Sequence, residues 1–254
     1  MAGTFTPQPG SAPLARQVLS QARMESRLML RNGEQLLLAV VIPVIVLVGG
    51  VLAGRHVGLD FGRPLVDVLT PGVLALAVMS TSFTSLAIAT GFERRYGVLK
   101  RLGSSPLPRH GLLLGKVGAL LLVELIQIVV VGALGLLLGW DPAGGWAAAL
   151  LTVVLGTAAF ASLGLLVAGV LRAEATLAAA NLVYLLLMAG GGVVLPTSSY
   201  GVAEGLLRLL PSGALGDGLR AALVDGTMDG TALLVLTVWA VAGSLAASRW
   251  FRWE

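Results

Sequence analysis

Cysteine is absent from all 254 residues, and histidine occurs only at His56 and His110. No thiolate can act as a nucleophile, no disulfide can form and no cysteine-ligated metal can be held. The two histidines fall on opposite sides of the membrane in the topology derived below, so they cannot share a metal. No His-x-x-x-His, Ser-Lys or paired intramembrane carboxylate occurs, which leaves the acid, base and nucleophile of a membrane-embedded enzyme unfilled. Charge is scarce as well: Asp, Glu, Lys and Arg make up 12% of the chain, against about 25% in an ordinary globular domain. With 56% hydrophobic residues, a soluble chain of this length could not cover its apolar surface, and a bilayer solvates that surface instead. The net charge of +4 is spread between apolar runs. It therefore suits an anionic membrane surface and not nucleic acid. The residues ahead of the first apolar run are too many for the n-region of a secretory signal.

What is present is six long apolar stretches, near 35–54, 68–92, 117–139, 146–171, 175–195 and 231–248. Each approaches or exceeds the roughly 20 residues that an α-helix needs to cross a bilayer. The fold class expected is all-α integral membrane. Pro43 falls inside the first stretch, which a lipid-buried helix tolerates when a neighbour satisfies the carbonyl that proline leaves unpaired. With the N-terminus in the cytoplasm, the cytoplasmic pieces are 1–34, 93–116, 172–174 and 249–254. They hold 13 of the 17 lysines and arginines. The opposite side keeps Arg55, Arg63, Arg208 and Arg220, so the positive-inside rule places both termini in the cytoplasm.

Two flanking segments carry further pattern. Residues 1–13 contain Pro7, Pro9, Pro13 and Gly10 and read as a disordered tail. Over 14–34 a helical period gathers Arg16, Arg23, Arg27 and Arg31 in one arc. Ala15, Val18, Leu19, Ala22 and Met29 lie roughly opposite, and Glu25 falls on the wrong side of the pattern. This is either an amphipathic helix lying in the membrane interface or a solvated basic helix. The segment 196–230 shows helical spacing at Val202, Leu206, Leu209 and Leu210, a break at Pro211, and a resumption at Leu215, Leu219, Ala222 and Leu223. Two short amphipathic helices joined at Pro211-Ser212-Gly213 fit it. They either dip into the outer leaflet or cap the fifth and sixth spans.

Polar residues inside the spans invite two readings each. Glu124 and Gln127 share one side of the third span, Ser82 and Ser85 belong to a Ser/Thr-rich stretch of the second, and Asn181 and Tyr184 are one turn apart on the fifth. Intramembrane ionisable groups mark pathways or gating pairs, whereas hydroxyls and amides also serve as interhelical hydrogen bonds. Gly50 with Gly54, and Gly135 with Gly139, are small-xxx-small pairs suited to close helix contact.

The most informative stretch is Glu93-Arg94-Arg95-Tyr96-Gly97-Val98-Leu99-Lys100-Arg101-Leu102, followed by Ser104-Ser105-Pro106-Leu107-Pro108-Arg109. As charge alone, it is a positive-inside loop that anchors topology. As an ordered pattern it resembles the loop joining the second and third spans of ABC-2 type permeases, departing only at Tyr96, where that family commonly has a charge. The resemblance extends to the N-terminal helix, the six spans and the broken segment between the fifth and sixth. It implies the membrane subunit of an ATP-driven exporter of drugs, antibiotics, lipids or glycans in the bacterial inner membrane. It also implies a second permease copy or paralogue and a pair of separate ATPase subunits that bind the ATP and Mg²⁺, with no cofactor on this chain. Under it, Glu93, Arg94, Arg95, Gly97, Lys100 and Arg101 belong to the coupling region that meets the ATPase. The chain has no phosphate loop of its own. Gly111 and Gly115-Lys116 are one residue too close, Val117 replaces the hydroxyl, and no strand precedes them. A non-transporting membrane scaffold or sensor is the alternative function.

Overall fold

The computed structural model describes residues 12–31, 33–58, 61–103 and 108–252. The tail assigned to 1–13 lies almost wholly outside the described residues, as does the turn Ser104-Ser105-Pro106-Leu107. Described residues form helices α1 (Leu14–Arg31), α2 (Gly33–Val57), α3 (Leu65–Met79), α4 (Leu86–Arg95), α5 (Val98–Gly103), α6 (Arg109–Leu137), α7 (Trp146–Val170) and α8 (Ala173–Gly190). After these come α9 (Glu204–Arg208), α10 (Pro211–Val224) and α11 (Gly230–Trp250). A π-helical segment, Ser80–Ser85, joins α3 to α4, and a 3₁₀ segment, Thr197–Ala203, precedes α9. Six helices are long and apolar enough to cross a membrane: α2, the continuous α3–π–α4 rod, α6, α7, α8 and α11. The fold is all-α and the chain is a multi-pass membrane protein.

The second span, Leu65–Arg95, is the axis of the bundle: 72% of its most apolar window is buried, against 22% for the first and fifth spans. Apolar side chains on all sides of α3, such as Val68, Leu69, Leu74 and Val78, are enclosed by neighbours, as expected of a helix hydrophobic all round. Around it stand α2, α6, α7 and α10, with α11 packed along α7. Gly50 and Gly54 let α2 approach closely. A Cβ on Gly54 would stand 2.2 Å from a Leu65 methyl. Pro43 removes the N–H that would bond the Ala39 carbonyl four residues earlier. Gln127 of α6 donates to that carbonyl at 2.8 Å and accepts from Thr81 at 2.8 Å. One amide thereby knits the first three spans.

Several sequence expectations are revised. The third apolar helix begins at Arg109, ahead of 117, and the second span continues through Arg95, so the connector over 93–116, whose first half reads from the sequence as a short basic helix leaving the second span, is helical at its far end as well. The fifth span ends at Gly190, short of 195, and residues 191–195 are a run of bends outside any helix. The segment after the fifth span does divide into two helices, α9 and α10, but the break falls at Leu209-Leu210 and Pro211 opens α10, where its missing N–H costs nothing. Nor is α10 a surface helix. Pro211 through Leu223 are buried apart from Asp217 and Ala221, and the helix inserts among α3, α7 and α11. In α1, the face opposite the arginines packs on α6: Gln21 and Glu25 are buried and Met29 is half-buried. Leu19 belongs to the exposed side, flanking the arginines together with Met24, Leu28 and Leu30.

Candidate functional site

Arg94, Arg95 and Glu93 sit on the last turn of α4, and each reaches a different part of the bundle. Arg94 donates to the carbonyls of Gly169 and Leu171 at the end of α7. These carbonyls lack intrahelical partners, and the negative end of the helix dipole draws the guanidinium toward them. The backbone N–H of Arg252, beyond α11, also bonds Gly169 at 3.2 Å. Arg95 pairs with Glu174 in the first turn of α8, where a carboxylate favours the positive helix end. Its guanidinium lies 5.8 Å from the Tyr96 ring centroid, and that ring stacks on Phe92.

Glu93 points the other way. The Lys116 ammonium of α6 meets the Glu93 carboxylate at 2.6 Å and the Glu25 carboxylate of α1 at 3.1 Å. Gln21 donates to Glu25 at 2.9 Å. Lys116 is only 5% exposed, and a buried ammonium is tolerated only when paired. Glu25, the residue that broke the amphipathic pattern of α1, is therefore the reason α1 docks. Gly97 ends the helix at φ +68°, a conformation that glycine adopts without steric cost. Its N–H closes the turn on Arg94 at 3.1 Å. The chain then re-enters a helix as α5, whose Lys100 and Arg101 are exposed. So Glu93, Arg94 and Arg95 bind the second span to α1, α6, α7 and α8, while Lys100 and Arg101 face outward.

Immediately beside this hub lies a cavity of about 590 Å³ between α2, the second span and α8. Ser80, Thr84 and Ser85 of the π-helical segment, with Asn181 and Tyr184 of α8, supply its polar lining. Ile42, Ile88 and Phe92 supply apolar wall, and Glu93 and Tyr96 stand at the hub end. A π segment widens a helix by one residue per turn, a device common at functional sites. Here it brings hydroxyls of one helix to a shared wall.

Of the polar residues singled out in the spans, Ser85, Asn181 and Tyr184 line this cavity and the others do not. Ser82 is fully buried and donates to the Val78 carbonyl. Gln127 is the interhelical amide described above. Glu124, 1% exposed, accepts from Thr157 of α7 at 2.8 Å, a single bond between the third and fourth spans. Sequence reasoning missed the roles of Lys116 and Glu25. The conflict between Glu25 and its helix pattern was the signal that could have found them. Arg16, Arg23, Arg27 and Arg31 are exposed along α1.

Among curated proteins, none matches this chain. A family model described as ABC-2 type transporter matches residues 13–224, a span that runs from α1 through α10 and takes in both the hub and the cavity. The chain belongs to the ABC-2 type transporter family, whose members are membrane permeases that normally work with an ABC ATPase subunit and are not themselves catalytic.

Proposed function

We propose that this protein is the membrane-spanning half of an ATP-driven exporter in a bacterial inner membrane, with both termini in the cytoplasm. Two permease copies, or this chain and a paralogue, work with two ATPase subunits that bind ATP and Mg²⁺. The cargo is hydrophobic or amphipathic, in the class of drugs, antibiotics, lipids or glycans. The reading is carried by one observation: the polar-and-apolar cavity adjoins the charged hub that gathers four other helices onto the second span. A force applied at α5 moves the second span and the cavity wall as one body, which alternating access requires.

Lys100 and Arg101 present the charge that meets the ATPase, fixing register and partner choice. Glu93, Arg94, Arg95 and Gly97 pass the displacement on. The second permease copy packs against α2 and α8, the two least buried spans, which flank the cavity. The exposed arginines of α1 lie against anionic headgroups. In inside-out vesicles holding both the permease and the ATPase of its neighbouring reading frame, a fluorescent amphiphile accumulates only when ATP is added. Accumulation without the ATPase, or none with it across a panel of amphiphiles, rejects the proposal.

A further inference from the structure

At the end of the bundle away from the hub, α6 and α7 diverge. Their side chains meet at Glu124 and Thr157. Beyond that bond they part around a groove of about 550 Å³, floored by Leu219 and Leu223 of α10. The groove runs along α6 from Leu125 to Leu136 and ends under Trp140 and Trp146. At 1.5 Å per residue, Leu125 to Leu136 spans about 16 Å, close to the roughly 15 Å of one leaflet's hydrocarbon.

We propose that this groove is a resident phospholipid site, taking one acyl chain from the leaflet opposite the hub. Five observations select that occupant. Of the fifteen lining residues, only Trp140 and Trp146 carry a polar side-chain atom, so neither water nor a peptide backbone is satisfied inside it. The two indoles stand at one end, as aromatic residues do at the headgroup boundary, which sets the depth of the groove within the hydrocarbon. The Trp140 indole N–H is buried without a partner, a costly state that the ester carbonyl of a lipid relieves at that depth. Arg63 donates to the Val224 carbonyl next to Leu223 and pairs with Asp225 at 2.9 Å while half-exposed. It places a cation at headgroup level beside the groove. Gly132 leaves the wall bare although a Cβ there would approach only the Trp140 ring, at 4.0 Å. The space is thus open to a methylene chain and is not closed by helix packing.

The chain is purified in mild detergent and weighed intact by native mass spectrometry. A single phospholipid per chain is expected to survive in the wild type and in Leu186→Phe, on the exposed face of α8. It is expected to be lost in Gly132→Phe and Ala133→Leu, which fill the groove. Equal retention in both filled variants overturns the site, as does its absence from the wild type. A second measurement uses a chain whose only tryptophan is Trp140, in nanodiscs of phospholipid brominated at mid-chain. Quenching several-fold stronger without than with Gly132→Phe is expected, and equal quenching overturns the proposal. A Val129→Cys variant that forms disulfide dimers in high yield shows a second copy of the chain in the groove, and also overturns it.

Discussion

Arg220 and Arg94 each gather more than one backbone carbonyl, and the difference between them separates the two ends of the molecule. Arg220 of α10, 7% exposed, donates to the carbonyls of Gly192, Val193, Val194 and Leu195 and to Asp217. Asp217 in turn accepts from the backbone N–H and hydroxyl of Thr197. Every group Arg220 bonds lies within about thirty residues of chain. Its office is to hold the bent chain of 192–195 inside the bundle, where buried unpaired carbonyls would be costly. Gly72 of α3 completes that cradle, since a Cβ there would stand 2.3 Å from the Val194 oxygen. Arg94 instead reaches seventy-five residues along the sequence, and with Glu93 and Arg95 it collects α1, α6, α7 and α8. One end closes a local loop, whereas the other joins elements far apart in sequence. A joint of the second kind can carry force between subunits.

Arg220→Leu should have the largest effect. Four carbonyls and a carboxylate lose their donor together, and breaking a buried pair costs about 3–5 kcal/mol. Detergent-extracted protein should lose monodispersity by size exclusion, and Arg220→Lys should not restore it, because an ammonium lacks the planar fork. Lys116→Met should come next, leaving Glu25 and Glu93 buried without their cation at a similar cost of about 3 kcal/mol. The triple variant Lys116→Met, Glu25→Gln, Glu93→Gln should recover thermal stability while ATP-driven transport stays lost. Recovery of both would make the hub an ordinary structural contact, like the Arg220 cradle.

The contrast also explains how much could be read from the sequence. Span number and the basic connector were legible because both are local: apolar runs of span length, and a charge pattern contiguous from Glu93 to Arg101. The short basic helix leaving the second span was legible too, but the helical nature of 109–116 was not, because charged residues continuing a membrane helix look the same as a loop when only hydropathy is counted. Glu25 and Lys116 lie 91 residues apart, so nothing in the sequence near either identifies the pair. The burial of α10 was hidden for a similar reason. Its apolar spacing suits a surface helix, and only the closeness of Gly72 and the carbonyl-binding role of Arg220 make it an inserted one. The π segment has no signature beyond a run of hydroxyl residues.

Smaller effects sharpen the comparison. Arg94→Ala should destabilise by about 1–2 kcal/mol, the order of a lost charge-assisted helix cap, seen as a lower melting temperature in detergent. Lys100→Glu with Arg101→Glu, at exposed positions, should change stability less than Lys116→Met does, because exposed charges interact across high dielectric. ATP-dependent transport should nonetheless fall to background. If that double variant transports normally, the outward face of α5 is not where force enters.

The absence of cysteine gives a clean background for the most direct test of the central claim, that the hub end faces the cytosol and receives the ATPase. Lys100→Cys is labelled with a membrane-impermeant maleimide in intact cells and in inside-out vesicles. Labelling only in the vesicles, blocked when the ATPase is added back, is the predicted result. Labelling of intact cells, or labelling that the ATPase leaves unchanged, contradicts the account.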